Sequence, residues 1–301
     1  MTAVVVVRDL TKRYRSVTAL DSVSFTIEEN SITGLLGRNG AGKTTVMALL
    51  TGQVFRTSGH LAVFGADPVE NDAVLSRTCF IKESQRYNED FKVKHVLAAA
   101  RIVYSQWDGD FAAQLIEDFS LPLERNIRRL SRGMQSAVGV VVGLASRAPL
   151  TFFDEPYLGL DAVARQLFYD RLLADYAENP RTVILSTHLV DEVADLLSNV
   201  LLIDHGRVLL DAEADSLRGQ AVTVTGPRPA VARVVAGRRQ LACERLGEFT
   251  RTTVHGRLDE SERRAAADAG LSIEPISLQQ LMLLTTRESQ DGVLGREEVS
   301  R

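Results

Sequence analysis

The segment Gly37-Arg38-Asn39-Gly40-Ala41-Gly42-Lys43-Thr44-Thr45 fits the spacing G-x-x-x-x-G-K-[ST]. Glycines at these positions let successive backbone N–H groups turn inward around an anion without Cβ clashes. A helix opening at Lys43 aims its positive end at the same anion. Lys43 is then placed to reach β- and γ-phosphates, and Thr44 to offer a hydroxyl to Mg2+. The chemistry on offer is the grip of a polyphosphate.

Acids of the right kind follow downstream. Leu150-Thr151-Phe152-Phe153 reads as a buried strand that ends in Asp154-Glu155. At the carboxyl end of a parallel strand, Asp154 faces a magnesium site beside the phosphate loop. Glu155 then stands where a water attacks the γ-phosphate, as general base or water-orienting group. Asp161 precedes a helix from Ala162 and is a natural N-cap, a role compatible with a functional one. His188 follows the strand Val183–Leu185, where it either contacts the γ-phosphate or stays structural.

These residues need elements to hold them. Val4–Val7, Val23–Ile27 and Ile32–Leu36 read as strands, and Lys43–Leu50 as an apolar helix. His95–Tyr104, Phe111–Phe119 and Arg132–Arg147 have helical periodicity, as do Ala162–Tyr176 and Leu189–Leu197. Val200–Ile203 and Val208–Leu210 flank a turn at Asp204–Arg207. Strands, then helices, then alternating β and α imply an α/β parallel-sheet core with a helical insertion. Beyond Gly219 a small α+β region is expected, with a polar tail from about Glu288 that frays.

Composition narrows the classes. The 301 residues are 45% hydrophobic and 25% charged, so a sizeable core is available and wholesale disorder is excluded. A formal charge of −4 provides no strong field for nucleic acid, so none is expected as a partner. The longest apolar stretch, Ala137–Ala145, is far short of the ~20 residues of a membrane span. The start, Met1-Thr2-Ala3 into Val4–Val7, reads as a strand and not as a signal peptide. Cys79 and Cys243 have no metal or framework spacing, which fits a reducing cytosol.

Leu130-Ser131-Arg132-Gly133-Met134-Gln135, taken with the motifs above and in their order, decides the family. Over residues 1–218 the chain resembles the ATP-binding subunit of an ABC transporter, with a helical subdomain at about 86–148 and an accessory region at 219–301. The resemblance implies a P-loop NTPase core with N-terminal antiparallel strands, ATP and Mg2+ as ligands, and hydrolysis of that ATP. It makes residues 37–45 Walker A, 150–155 Walker B, Leu158–Asp161 the D-loop and His188 the switch histidine. Tyr14 corresponds to the aromatic that stacks on adenine. Leu130–Met134 stands where LSGGQ is expected, with Arg132 in place of a glycine and Met134 in place of glutamine. Ser131 and Gly133 still offer a hydroxyl and a backbone N–H to a γ-phosphate, while Arg132 either adds a cationic contact or faces solvent. At the Q-loop, Glu83 falls where glutamine is expected and Gln85 lies two residues on. Glu83 can bind Mg2+ or its water through oxygen, and which of the two serves is open at this point.

Family members bind ATP between two subunits arranged head to tail, Walker A of one facing the signature of the other. The resemblance therefore implies a second ATP-binding subunit, identical or not. It also implies a separately encoded membrane permease and a cytoplasmic location on the inner face of the membrane. The accessory region resembles the C-terminal extensions of exporting subunits, which points to export. The alternative is a soluble ABC ATPase that acts on a macromolecular partner without transport.

Overall fold

A computed structural model describes residues 2–83 and 85–287. In chain order it holds β1 (Ala3–Tyr14), β2 (Val17–Glu28), β3 (Ile32–Leu36), α1 (Lys43–Leu50), β4 (Ser58–Val63), α2 (Asp72–Leu75) and β5 (Thr78–Ile81). Next come α3 (Val93–Val103), α4 (Gly109–Asp118), α5 (Arg132–Ala145), β6 (Leu150–Asp154), α6 (Ala162–Glu178) and β7 (Thr182–Thr187). The short α7 (Val190–Val193), β8 (Asn199–Asp204), β9 (Arg207–Glu213) and α8 (Ala214–Leu217) follow.

Strand β1 pairs antiparallel with β2 on one side and β4 on the other. The larger sheet has the order β5-β6-β7-β3-β8-β9, with β5, β6, β7, β3 and β8 parallel. Every residue of β3, β6 and β7 is buried, so these strands lack the alternation of a half-exposed sheet. Register sets Leu36 opposite Thr187 and Asp154 opposite Ser186, which brings three strand ends to one level. Ligands of open parallel sheets bind outside such carboxyl ends. Val46, Met47 and Leu50 of α1 join a buried cluster with Val5 and Leu10 of β1 and Leu35, Phe152 and Ile184 of the parallel sheet. That cluster fixes the direction in which α1 leaves the phosphate loop.

The apolar stretch Ala137–Ala145 is the buried half of α5. Among the described residues no helix is long and apolar enough to cross a membrane. Cys79 and Cys243 are both free, and burial pushes the Cys79 thiol above its ordinary pKa.

The chain divides into two compact units. One runs up to His188 and resumes over Asp195–Asp211; the other takes Leu189–Ala194 and the chain from Ala212 onward. The division falls between Asp211 and Ala212, ahead of α8. In the second unit lie β10 (Ala221–Pro227), α9 (Arg228–Val234), β11 (Gln240–Leu246), β12 (Phe249–His255), α10 (Glu260–Asp268) and β13 (Ser272–Pro275). Its antiparallel sheet has the order β11-β12-β10-β13, a βαββαβ arrangement of the split βαβ kind. Val222, Val224, Val231, Val254, Ala266 and Leu271 fill its core. A further helix covers residues 278–287, and the tail expected to fray from about Glu288 lies outside the described residues.

Two expectations change. Of Leu189–Leu197 only α7 is α-helical, because its start has no side-chain cap and the chain turns after Ala194 to bury Leu197. Strands β4, β5, β11 and β13 have no counterpart among the expected elements. β5 and β13 have 4 residues each, too few to display a period.

Candidate functional site

Leu36 ends β3, and the chain wraps through the glycine loop before α1 begins at Lys43. Gly42 sits at φ 114, and a Cβ there would lie 2.8 Å from Leu20 Cδ2 and 2.9 Å from the Ala19 carbonyl oxygen. Only glycine fits both the backbone angle and the space. Lys43 is 6% exposed. Its Nζ donates to the carbonyls of Gly37 at 2.8 Å and Arg38 at 3.2 Å, and lies 3.7 Å from Glu155 Oε1. The lysine charge is thus held at the mouth of the loop, next to a carboxylate.

Thr44 Oγ1 donates to Asp154 Oδ2 at 2.9 Å, and Ser186 Oγ donates to Asp154 Oδ1 at 2.6 Å. Asp154 is 3% exposed, so these hydroxyls satisfy a largely buried carboxylate. A hydroxyl and a carboxylate together are hard oxygen donors that suit Mg2+, which binds through one or two carboxylates plus phosphates and waters. Among the described residues no group of three or more His, Cys, Asp or Glu could hold a metal.

Glu155 stands at φ 47, a left-handed backbone rare for a side chain of this length, and is 8% exposed. Such strain persists where the surroundings enforce it, commonly at functional sites. Its N–H donates to the Ser186 carbonyl at 3.3 Å. Its Oε2 lies 2.8 Å from His188 Nδ1. Because a carboxylate only accepts, the proton on that contact belongs to Nδ1. The Tyr157 hydroxyl lies 3.2 Å from the same ring nitrogen, accepts the His188 backbone N–H at 3.1 Å and meets Thr187 Oγ1 at 2.8 Å.

A cavity of about 670 Å³ opens above these groups. It brings together Asn39, Gly40, Gly42, Lys43, Thr44 and Thr45 of the loop with Asp154, Glu155, His188 and Glu83. Arg38 and Ala41 line an adjoining cavity with His188 and His205. Glu83 lines the main cavity, whereas Gln85 lies outside it, with its side-chain oxygen 3.4 Å from the Lys82 N–H. Tyr14 is also absent from the lining; it is 44% exposed under Lys12 Nζ, and Val17, Thr18 and Ala19 form that wall instead.

Ser131, Gly133 and Asp161 are likewise outside this cavity. Ser131 caps α5 by accepting the Met134 N–H at 3.2 Å, and Asp161 caps α6 by accepting the Ala164 N–H at 2.8 Å. A Cβ on Gly133 would stand 2.4 Å from the Gly159 carbonyl oxygen, and Ser136 Oγ donates to the Leu158 carbonyl at 2.5 Å. The start of α5 is therefore packed on the Leu158–Asp161 turn of its own chain.

Sequence reasoning missed Tyr157, Ser186, Thr187 and His205. Ser186 and Thr187 had a signal, since polar residues closing a buried parallel strand face the same rim as Asp154. Tyr157 had a weaker one: a tyrosine this buried, at 2% exposure, needs a partner for its hydroxyl.

A glycine loop between strand and helix, with a buried Thr–Asp pair and a carboxylate beside the lysine, defines a P-loop nucleotide triphosphatase. The comparisons with known proteins give the family. A family model described as ABC transporter matches residues 20–158. The doxorubicin resistance ATP-binding protein DrrA of Mycobacterium tuberculosis is 31% identical over 225 residues, covering 72% of this chain and 68% of DrrA. Nod factor export ATP-binding protein I of Paraburkholderia xenovorans is 28% identical over 303 residues, 93% of this chain and 96% of that protein. A solved dimeric ATP-binding cassette in a post-hydrolysis state with ADP and Pi shares the fold, with a TM-score of 0.62 at 19% identity over 70% of this chain and 98% of its own. The chain belongs to the ABC transporter ATP-binding family and is an ATPase.

Proposed function

We propose that this chain dimerises on ATP and that closure and hydrolysis drive a separate membrane permease in the direction of export. The observation that carries the reading is the exclusion of Ser131, Gly133 and Asp161 from the cavity built by Lys43, Asp154 and Glu155 of the same chain. A hydroxyl and a close-approaching backbone at a helix N-terminus then have a γ-phosphate to meet only in a partner, identical or not. Export is supported by the words "export" and "resistance" in the names of two relatives. Cargo recognition belongs to the permease, with the ATPase peripheral on the inner face of the membrane.

In this reading the loop amides and Lys43 hold the β- and γ-phosphates, and Tyr14 stacks on adenine as the site closes. Thr44 and Asp154 would hold Mg2+, with Glu83 lining the same cavity. Bound there, Mg2+ would supply positive charge to the phosphate oxygens. Glu155 takes the proton of the attacking water, while His188, oriented by Tyr157 and the Glu155 carboxylate, presents Nε2 toward the γ-phosphate. Glu155→Gln keeps shape and removes basicity, so hydrolysis should fall ~10²–10⁴-fold while ATP binding survives. Purified with its permease, ATP and Mg2+, that variant should hold a closed ATPase dimer, and adding Ser131→Ala should open it. Open, monomer-like ATPase subunits in Glu155→Gln with ATP bound would overturn the reading.

A further inference from the structure

Two positions depart from the family pattern with opposite charge, and they touch. Glu83 stands where a neutral glutamine is expected and Arg132 where a glycine is expected; their side chains form an ion pair at 3.5 Å. Glu83 lines the nucleotide cavity and also a neighbouring cavity of about 320 Å³, which Arg132 lines with it. The carboxylate therefore borders both spaces, with Thr44 and Asp154 lining one and Arg132 the other. Arg132 is itself braced: its Cγ lies 2.9 Å from where a Cβ on Gly159 would be, so its stem rests on the Leu158–Asp161 turn. It is also the first residue of α5, directly after the Ser131 cap.

We propose that Arg132 is a positioning residue that restrains Glu83, so that Mg2+ must compete with the guanidinium for this carboxylate. The proposal rests on Glu83 as the metal-facing residue of the Q-loop. Its sign follows from electrostatics. Arg132 both occupies the carboxylate and adds a positive charge near the metal, and both effects disfavour a divalent cation. A neutral glutamine would need no such counter-charge.

The pair is exposed, 70% for the Arg132 side chain and 49% for Glu83, so substitutions leave the core untouched. Exposed pairs are weak, which limits the effect to about two- to five-fold. The test is the half-saturating Mg2+ concentration for binding of a fluorescent, non-hydrolysable ATP analogue. Arg132→Gln should lower it by that factor, with the gain shrinking at high salt. Glu83→Gln should raise it, and the double variant should follow Glu83→Gln. Arg132→Lys, which keeps the charge, should stay near wild type. An unchanged or higher half-saturating Mg2+ concentration in Arg132→Gln, with Glu83→Gln still impaired, would overturn the restraint and leave Glu83 as the metal-facing group. No effect of Glu83→Gln would remove that assignment and the restraint together.

Discussion

Tyr157 and His188 are tied twice, once through the ring nitrogen Nδ1 at 3.2 Å and once through the backbone N–H at 3.1 Å. A single hydroxyl thus fixes both the ring and the main chain of the residue next to Glu155. Oriented imidazoles depend on such partners, because the contact at one nitrogen decides what the other presents.

Tyr157→Phe keeps the ring and removes only that hydroxyl. A hydrogen bond contributes ~0.5–1.5 kcal/mol net, so kcat should fall about two- to ten-fold with the KM for ATP little changed. Steady-state hydrolysis measures this. Wild-type kcat would show that His188 does not need the tyrosine.

Much of the site was legible because its residues are adjacent in sequence. Gly37 to Thr45 and Asp154-Glu155 announce their chemistry through spacing, and the buried runs before them announce the sheet. Contacts between distant segments were not legible. Nothing in the sequence shows that Tyr157 reaches across 31 positions to His188, or that Arg132 meets Glu83. That Glu83 and not Gln85 lines the cavity was likewise not legible, since the two lie two positions apart after the short strand β5. In the second unit, edge strand β11 is largely exposed and its sequence carries no buried face to betray it.

Stability should depend on a charge cluster remote from the nucleotide. Asp175 of α6 is 5% exposed and accepts hydrogen bonds from Arg181, from Arg147 at 3.2 Å and from Asn179 at 3.3 Å. Removing one partner of a buried pair leaves the other charge uncompensated, at a cost of ~3–5 kcal/mol. Asp175→Ala should lower the urea midpoint accordingly, and an unchanged midpoint would mean that the arginines find water instead.

The βαββαβ region should be dispensable for nucleotide binding. The cavity lining runs from Val17 to Gly206 and includes no residue of the βαββαβ region. A chain ending at Arg218 should bind Mg-ATP with near-normal affinity, as measured by nucleotide fluorescence. Loss of binding in a truncation with native circular dichroism would show that the region helps build the site.

The central claim is that each ATP is held by the phosphate loop of one chain and the Ser131–Gly133 segment of another. Mixing two inactive variants tests it directly. Lys43→Ala destroys the loop and spares the signature; Ser131→Ala does the reverse, and leaves untouched the close packing of Gly133 on Gly159. In a mixed dimer one site then carries both lesions, while the other joins an intact Lys43 to an intact Ser131–Gly133 segment. ATP hydrolysis should reappear when the two variants are co-assembled with the permease, although neither hydrolyses ATP alone. Co-assembled mixed dimers that stay inactive would contradict the shared site, as would full activity of Ser131→Ala by itself.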